Sequence, residues 1–364
     1  MLKPTARIHS PSPIRQVAQT ASLNIACALV LFIFATSAAT GQKAPRHPQL
    51  VAAESAVRRK DFINAVEILE ALLRAQPRLD AEAYVMLAAS KSNLGQTTEA
   101  IEVCARGAEV FPGSDRLAEF YVALLRATTT IDQSTVKTRL EEIMPQPTAS
   151  AVYVKALSQI LLTTNPLDAR METLLTRAVA ARPRDAEARY LYGQWACLTN
   201  KEKLCIEQLT KTLALSGTNR LARVQSYTLI GMAESSSGNK VRAEAAFQNA
   251  LRLNRRLPRP EPQGTFQYAK FLIDNARAQQ GQTLLDEVLR QAPDFGPARF
   301  EHAKLLAKQG QRAAAIDEAK RALQYARHSR TQLQAIHTFL AKTYFSIGQR
   351  EKAEAHQKWI EANQ

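Results

Sequence analysis

A small residue returns along this chain at Ala65, Ala100, Cys205, Ala243, Gly281, Ala315 and Ala353, and wherever the pattern is unbroken neighbouring copies stand 34, 35 or 38 residues apart. Each sits early in an apolar stretch with helical spacing, as in Ala243-Glu-Ala-Ala-Phe247-Gln-Asn-Ala250, where residues 243, 247 and 250 share one face. A period near 34 leaves room for two helices per unit, and such a unit cannot bury its apolar face alone. The chain is therefore expected to stack helical hairpins into an array offering a surface, rather than close around a pocket. With 46% of its residues hydrophobic and only 6% aromatic, it has the composition of an alanine-rich helical protein. Its 364 residues would ordinarily suggest two or three globular domains, but an array can run this far as one quasi-linear body.

Residues 81 to 114 carry Tyr84, Leu87-Ala88, Gly95 at a hairpin turn, Ala100, Cys104, Gly107 and Pro112. Residues 224 to 257 carry Gly231, Gly238, Ala243, Phe247 and Ala250. These stretches resemble the tetratricopeptide repeat, whose first helix holds a Leu-Gly/Ala step and an aromatic, and whose second reads A-x3-F-x2-A before a proline. Residues 262 to 295 and 296 to 329 follow with Tyr268-Ala269, Leu285 and Pro293, then His302-Ala303, Gly310, Ala315 and Ala322. A last unit has Leu340-Ala341, Tyr344, Gly348 and Ala353, and weaker copies fill residues 46 to 79, 152 to 185 and 186 to 219. The stretch from 115 to 148 matches least, with Ser134 and Thr138 where a small and a bulky apolar residue are expected. The resemblance covers nearly everything after residue 45 and implies an all-α fold, an α-solenoid wound as a right-handed superhelix of about nine units. The small residues let two helices approach closely while Leu and Phe fill the seam, so both are read as core. Two irregular segments stand out, residues 126 to 149 with Pro145 and Pro147, and residues 255 to 264 with Pro258, Pro260 and Pro262. The expected division is an N-terminal block over 46–125, a degenerate repeat or hinge over 126–149, and a C-terminal block over 150–364.

The first 41 residues differ in kind. Lys3, Arg7 and Arg15 precede an apolar run from Ile25 to Ala35, and the small residues Ser37, Ala38, Ala39 and Gly41 follow it. A basic lead, an apolar run of about 11 residues and a small-residue end are the three parts of a secretory signal peptide. Cleavage after Ala39 or Gly41 is expected; an uncleaved anchor over 25–39 is the alternative, and Cys27 lacks the leucine-led box of a lipoprotein. Export puts Cys197 and Cys205, at the two ends of one hairpin turn, in an oxidising compartment where a disulfide can staple them; otherwise they are small packing residues. Cys104 is expected to be buried and inert. The formal charge is +15, and losing Lys3, Arg7 and Arg15 leaves +12, which favours acidic partners. Nucleic acid is not expected, because the basic residues are scattered with few aromatics between them and the chain carries an export signal.

Lysine follows the small step of the first helix in the last three units, as Lys270, Lys304 and Lys342. Phe266 and Phe300 stand one helical turn before the first two of these. The resemblance implies that the side chain after that step faces the concave groove, so these five residues are the candidate partner-binding set for an extended acidic peptide or a C-terminal carboxylate. The lysines and asparagines of the family's chaperone-tail clamp are not reproduced. No H-E-x-x-H, G-x-S-x-G, phosphate loop or dinucleotide-binding glycine pattern occurs, and neither a metal nor a cofactor site is expected. The reading is a non-catalytic scaffold or adaptor of an exported bacterial repeat protein, holding a protein or peptide. The alternative is a basic protein of a membrane surface or polyanion.

Overall fold

The computed structural model describes residues 47–326 and 329–363, so the signal segment, Cys27, Arg327 and His328 lie outside it. The described residues form eighteen α-helices and no strand. They pair in chain order as nine antiparallel hairpins. The first four are α1 (Pro48–Arg58) with α2 (Phe62–Ala75), α3 (Ala81–Asn93) with α4 (Thr97–Val110), α5 (Asp115–Ala127) with α6 (Gln133–Ile143), and α7 (Ala151–Thr164) with α8 (Met171–Ala181). The remaining five are α9 (Ala186–Leu198) with α10 (Glu202–Leu215), α11 (Arg220–Ser236) with α12 (Lys240–Asn254), α13 (Pro262–Asp274) with α14 (Ala278–Gln291), α15 (Gly296–Lys308) with α16 (Arg312–Tyr325), and α17 (Arg330–Ser346) with α18 (Arg350–Ala362). The architecture is an all-α solenoid of stacked hairpins. It divides into two compact units, one ending at Pro183 and one beginning at Arg184.

One local device builds seven of the nine hairpins. The first helix ends on a residue with left-handed backbone: Lys60, Gly95, Asn200, Gly238, Ala276, Gly310 or Gly348, with φ between 55° and 80°. The next residue's N–H then returns to the carbonyl five positions back, as in Gln96 N to Lys91 O at 2.9 Å and Arg277 N to Leu272 O at 2.8 Å. A three-residue turn closes, and the second helix starts at once. Five residues after each left-handed position comes the small residue, and all seven are buried: Ala65, Ala100, Cys205, Ala243, Gly281, Ala315 and Ala353. The recurring residue of the sequence is thus a ruler set by the turn.

Close approach is reciprocal. A methyl group on Gly281 would lie 2.5 Å from Ile273 Cγ1 of the facing helix, and one on Gly193 would lie 2.6 Å from Leu209 Cγ. On α11, Gly231 accepts the ring of Phe247, whose Cδ1 is 2.8 Å from where a methyl would sit. Phe247, Phe271, Leu272, Leu285 and Val288 continue that seam into the next hairpin. Asp80, Ser114, Ser150, Asp185, Asn219 and Ser329 cap the first helices through their side chains.

The stretch 115–148 is a complete hairpin whose register differs from the expected one. Its turn has five residues, Thr128 to Asp132, instead of three. The inward face of α6 is accordingly displaced by two positions, to Val136, Leu140 and Ile143, and Ser134 and Thr138 are exposed. Residues 126–149 lie within the first compact unit and not at its edge. Arg177 of α8 donates to the carbonyls of Gln146, Pro147 and Ala149 at 2.9 to 3.2 Å, and Ser150 N donates to Pro112 O at 2.8 Å, so this segment is tied to the hairpins on both sides.

The turn supplies a paired test. Ala276 holds a left-handed backbone that disfavours a Cβ, whereas Gly310 holds the same conformation without one. Ala276→Gly is expected to raise the unfolding free energy read from urea titration by about 0.5–1 kcal/mol, and Gly310→Ala to lower it by about 1 kcal/mol.

Candidate functional site

The three lysines sit one residue past the small step of α13, α15 and α17, hence about 100° around each helix from the fully buried Ala269 and Ala303. Lys270 is exposed and its Nζ lies 2.7 Å from Asp274 Oδ2, one turn along the same helix. Lys304 is half-exposed, pairs with Glu301, and holds its ammonium 5.3 Å from the centre of the Phe300 ring. Lys342 is exposed, and no carboxylate is paired with it among the described residues.

The aromatics have a second task. Phe266 is only 8% exposed and meets Phe295 edge-on at 5.5 Å, in the connection that leads into α15. Phe300 is half-buried and meets Phe339 of α17 edge-on at 5.6 Å. Both therefore fill the seam between hairpins. Phe300 also offers its face to Lys304, while Phe266 leaves little surface beside Lys270. The structure joins lysine and ring at one of the two expected places. An incoming carboxylate would compete with Asp274 and Glu301 at Lys270 and Lys304, and would meet an uncompensated charge at Lys342.

In α9 and α10, Cys197 and Cys205 have Cα atoms 5.1 Å apart and sulfurs at 2.00 Å, a disulfide across the turn that Asn200 shapes. Cys205 also fills the small slot and is fully buried. Cys104 is a free, fully buried thiol whose pKa burial raises. His302 is partly buried, and its Nδ1 has no hydrogen-bond partner.

A constellation the sequence did not announce occupies the last hairpin. His337 of α17 and His356 of α18 place their Nδ1 atoms 3.0 Å apart, so one donates and the other accepts. His337 stacks on Trp359 at 3.8 Å, and His356 stacks on Tyr344 at 5.7 Å. Lys320 of α16 and Lys352 of α18 hold their ammonium groups 5.9 and 5.6 Å from the Tyr344 ring centre. Burial, then the neighbouring His356, pushes His337 down to about 4; burial, then Lys320, lowers His356. The available signal was weak: His337 stands four residues before Ala341, where Tyr84 precedes Ala88. Ala353 and Ile360 are the buried residues of α18, so the ring stack adds contacts to a helix with few buried side chains.

No group of three or more metal-ligating side chains occurs among the described residues, and no helix there is long and apolar enough to cross a membrane. Stacked hairpins with reciprocal small-to-large packing define a helical-repeat protein. Residues 81–113 and 224–256 match the family model described as Tetratricopeptide repeat, so the chain carries tetratricopeptide repeats in those two stretches. Similar solved structures include the APC/C hetero-tetramer Cut9-Hcn1, at 12% identity and a TM-score of 0.49 over 86% of this chain and 73% of that one. A tetratricopeptide repeat protein from Parabacteroides merdae aligns at 13% identity and 0.47 over 81% and 97%. The human IFIT1 dimer with m7Gppp-AAAA aligns at 16% and 0.47 over 77% and 68%. No curated protein sequence matches the chain.

Two outcomes follow from these geometries. Because folding holds both histidines below their ordinary pKa, the folded state resists their protonation. Stability of the last hairpin is full above about pH 6.5 and falls as the pH drops toward 4. In a Trp195→Phe background the fluorescence of Trp359 should report this loosening, and His337→Phe should flatten the pH response. For the disulfide, Cys205→Ala keeps a small residue in the slot while removing the cross-link. It is expected to lower the unfolding free energy of the oxidised protein by about 2–3 kcal/mol, and dithiothreitol should then have no further effect on the variant.

Proposed function

We propose that the chain is a non-catalytic adaptor that binds a protein or peptide segment along the first helices of its last three hairpins. A tetratricopeptide repeat array is a scaffold for protein interaction, and its packing uses up the small and bulky apolar residues, leaving the outward positions for recognition. The observation that carries the reading is the placement of Lys270, Lys304 and Lys342 at one repeat position in three successive hairpins. A row of cations at the repeat spacing suits an extended segment with carboxylates along it, steered by the net charge of the whole chain. The signal-like pattern of residues 1–41 supports work in the bacterial envelope, in the periplasm or secreted beyond it.

Pull-down from envelope extract with the wild type beside a Lys270→Ala, Lys304→Ala, Lys342→Ala variant tests the reading. Each exposed pair contributes about 0.2–1 kcal/mol, so the variant is expected to retain its partner roughly tenfold less well. The loss should shrink at high salt, where part of the wild-type advantage is screened. Equal retention by the two proteins at both salts would remove the lysines from the site.

A further inference from the structure

The connection between the second and third hairpins of the C-terminal unit is built unlike its neighbours. It runs from Arg255 to Glu261, seven residues where the next connection, Ala292 to Phe295, has four. Asn254, only 1% exposed, clamps it: its Nδ2 donates to Glu261 O at 2.8 Å and Thr265 Oγ1 at 3.1 Å, and its Oδ1 accepts from Glu261 N at 2.8 Å. Pro258 and Pro260 stiffen the segment between the clamped ends. What this rigid loop presents is guanidinium. Arg255 is consumed by a two-point pair with Glu287, but Arg256 and Arg259 are exposed with no carboxylate on either among the described residues. The preceding connection lies alongside, since Arg220 Nη1 donates to Arg256 O at 3.4 Å, and Arg223 follows one turn later on α11. The acids nearby are engaged, Glu287 by Arg255 and Glu261 by Gln225. Apolar side chains are bare beside that preceding connection: Leu221, next to Arg220 in the chain, is 45% exposed, and Leu215, at the end of α10, is 36% exposed. The connections between hairpins within the N-terminal unit, 76–80, 111–114 and 144–150, carry Arg78 alone, although the last also has seven residues.

We infer that this edge docks on the phosphate headgroups of an anionic lipid surface. Guanidinium groups grip phosphate oxygens two at a time, and a pre-formed loop spends less ordering entropy in presenting them. The leucines decide the occupant. A soluble polyanion gains nothing from an exposed leucine, whereas a bilayer interface takes it into the acyl boundary while the arginines stay among the headgroups. The surface is separate from the lysine column and does not rest on it.

Flotation of the full chain with phosphatidylcholine vesicles, with and without phosphatidylglycerol, tests the inference through the ratio of the two partition constants. The wild type is expected to favour the anionic vesicles. An Arg220→Gln, Arg256→Gln, Arg259→Gln variant with unchanged circular dichroism should lose that preference, on the order of a hundredfold, while the three-lysine variant keeps it. Leu221→Ser should weaken vesicle binding severalfold and leave binding to inorganic polyphosphate unchanged. An equal anionic preference in wild type and arginine variant overturns the inference, as does polyphosphate binding that depends on the arginines while vesicle binding does not.

Discussion

Everything in this chain hangs on how closely two helices of a hairpin can approach. The left-handed residue at the turn and the small residue five positions later form one unit, because the returning backbone hydrogen bond fixes the phase at which the second helix starts. With the phase fixed, a bulky side chain on one helix always meets a gap on the other, as Phe247 meets Gly231 and Ile273 meets Gly281. Dispersion contacts of this kind are individually small and disappear with a fraction of an ångström of separation, so the small residue has little freedom to grow. Cysteine can take the slot at position 205 because it is little larger than alanine, and in doing so it comes within bonding reach of Cys197.

Between hairpins the seam is apolar inside and polar outside, and the polar ties repeat with the hairpins. Arg116 pairs with Glu82, Arg139 with Glu102, Arg277 with Glu244 and Arg255 with Glu287, each joining residues 32 to 37 apart. Such pairs are partly exposed, and each contributes modestly. Their larger effect is on register, since an arginine that finds its glutamate one hairpin away disfavours a slipped stack. Part of the arginine content is therefore structural.

What the sequence disclosed follows the same division. Where the turn has three residues, the period alone locates both helices and the buried slot, as for Ala243 and Ala315. Where it has five, as before α6, the period misplaces the inward face by two residues, because the ruler starts from the turn and the turn is longer. Phe266 and Phe300 could be put on the lysine face from spacing, yet spacing is blind to Phe295 and Phe339, which reach them from the following hairpin. The histidine pair was hidden for a related reason. Residues 337 and 356 meet only because α18 folds back, and no periodic signal marks a contact that occurs once. The boundary after Pro183 was equally illegible, since it reflects how many contacts cross a connection and not what the connection is made of.

A surface for recognition must then be sought among charges that the stack does not use. By that criterion Lys270 and Lys304, already answered by Asp274 and Glu301, are weaker anchors than their regular spacing suggests, and Lys342 is stronger. Arg256 and Arg259 meet the criterion most fully. They sit on a loop whose buried Asn254 satisfies its own polar atoms against the backbone, so the fold supports the loop without engaging their guanidinium groups. An element held so firmly, with Arg256 and Arg259 left outside every ion pair among the described residues, adds little to the stack through those two charges and is a well-prepared surface for an anion.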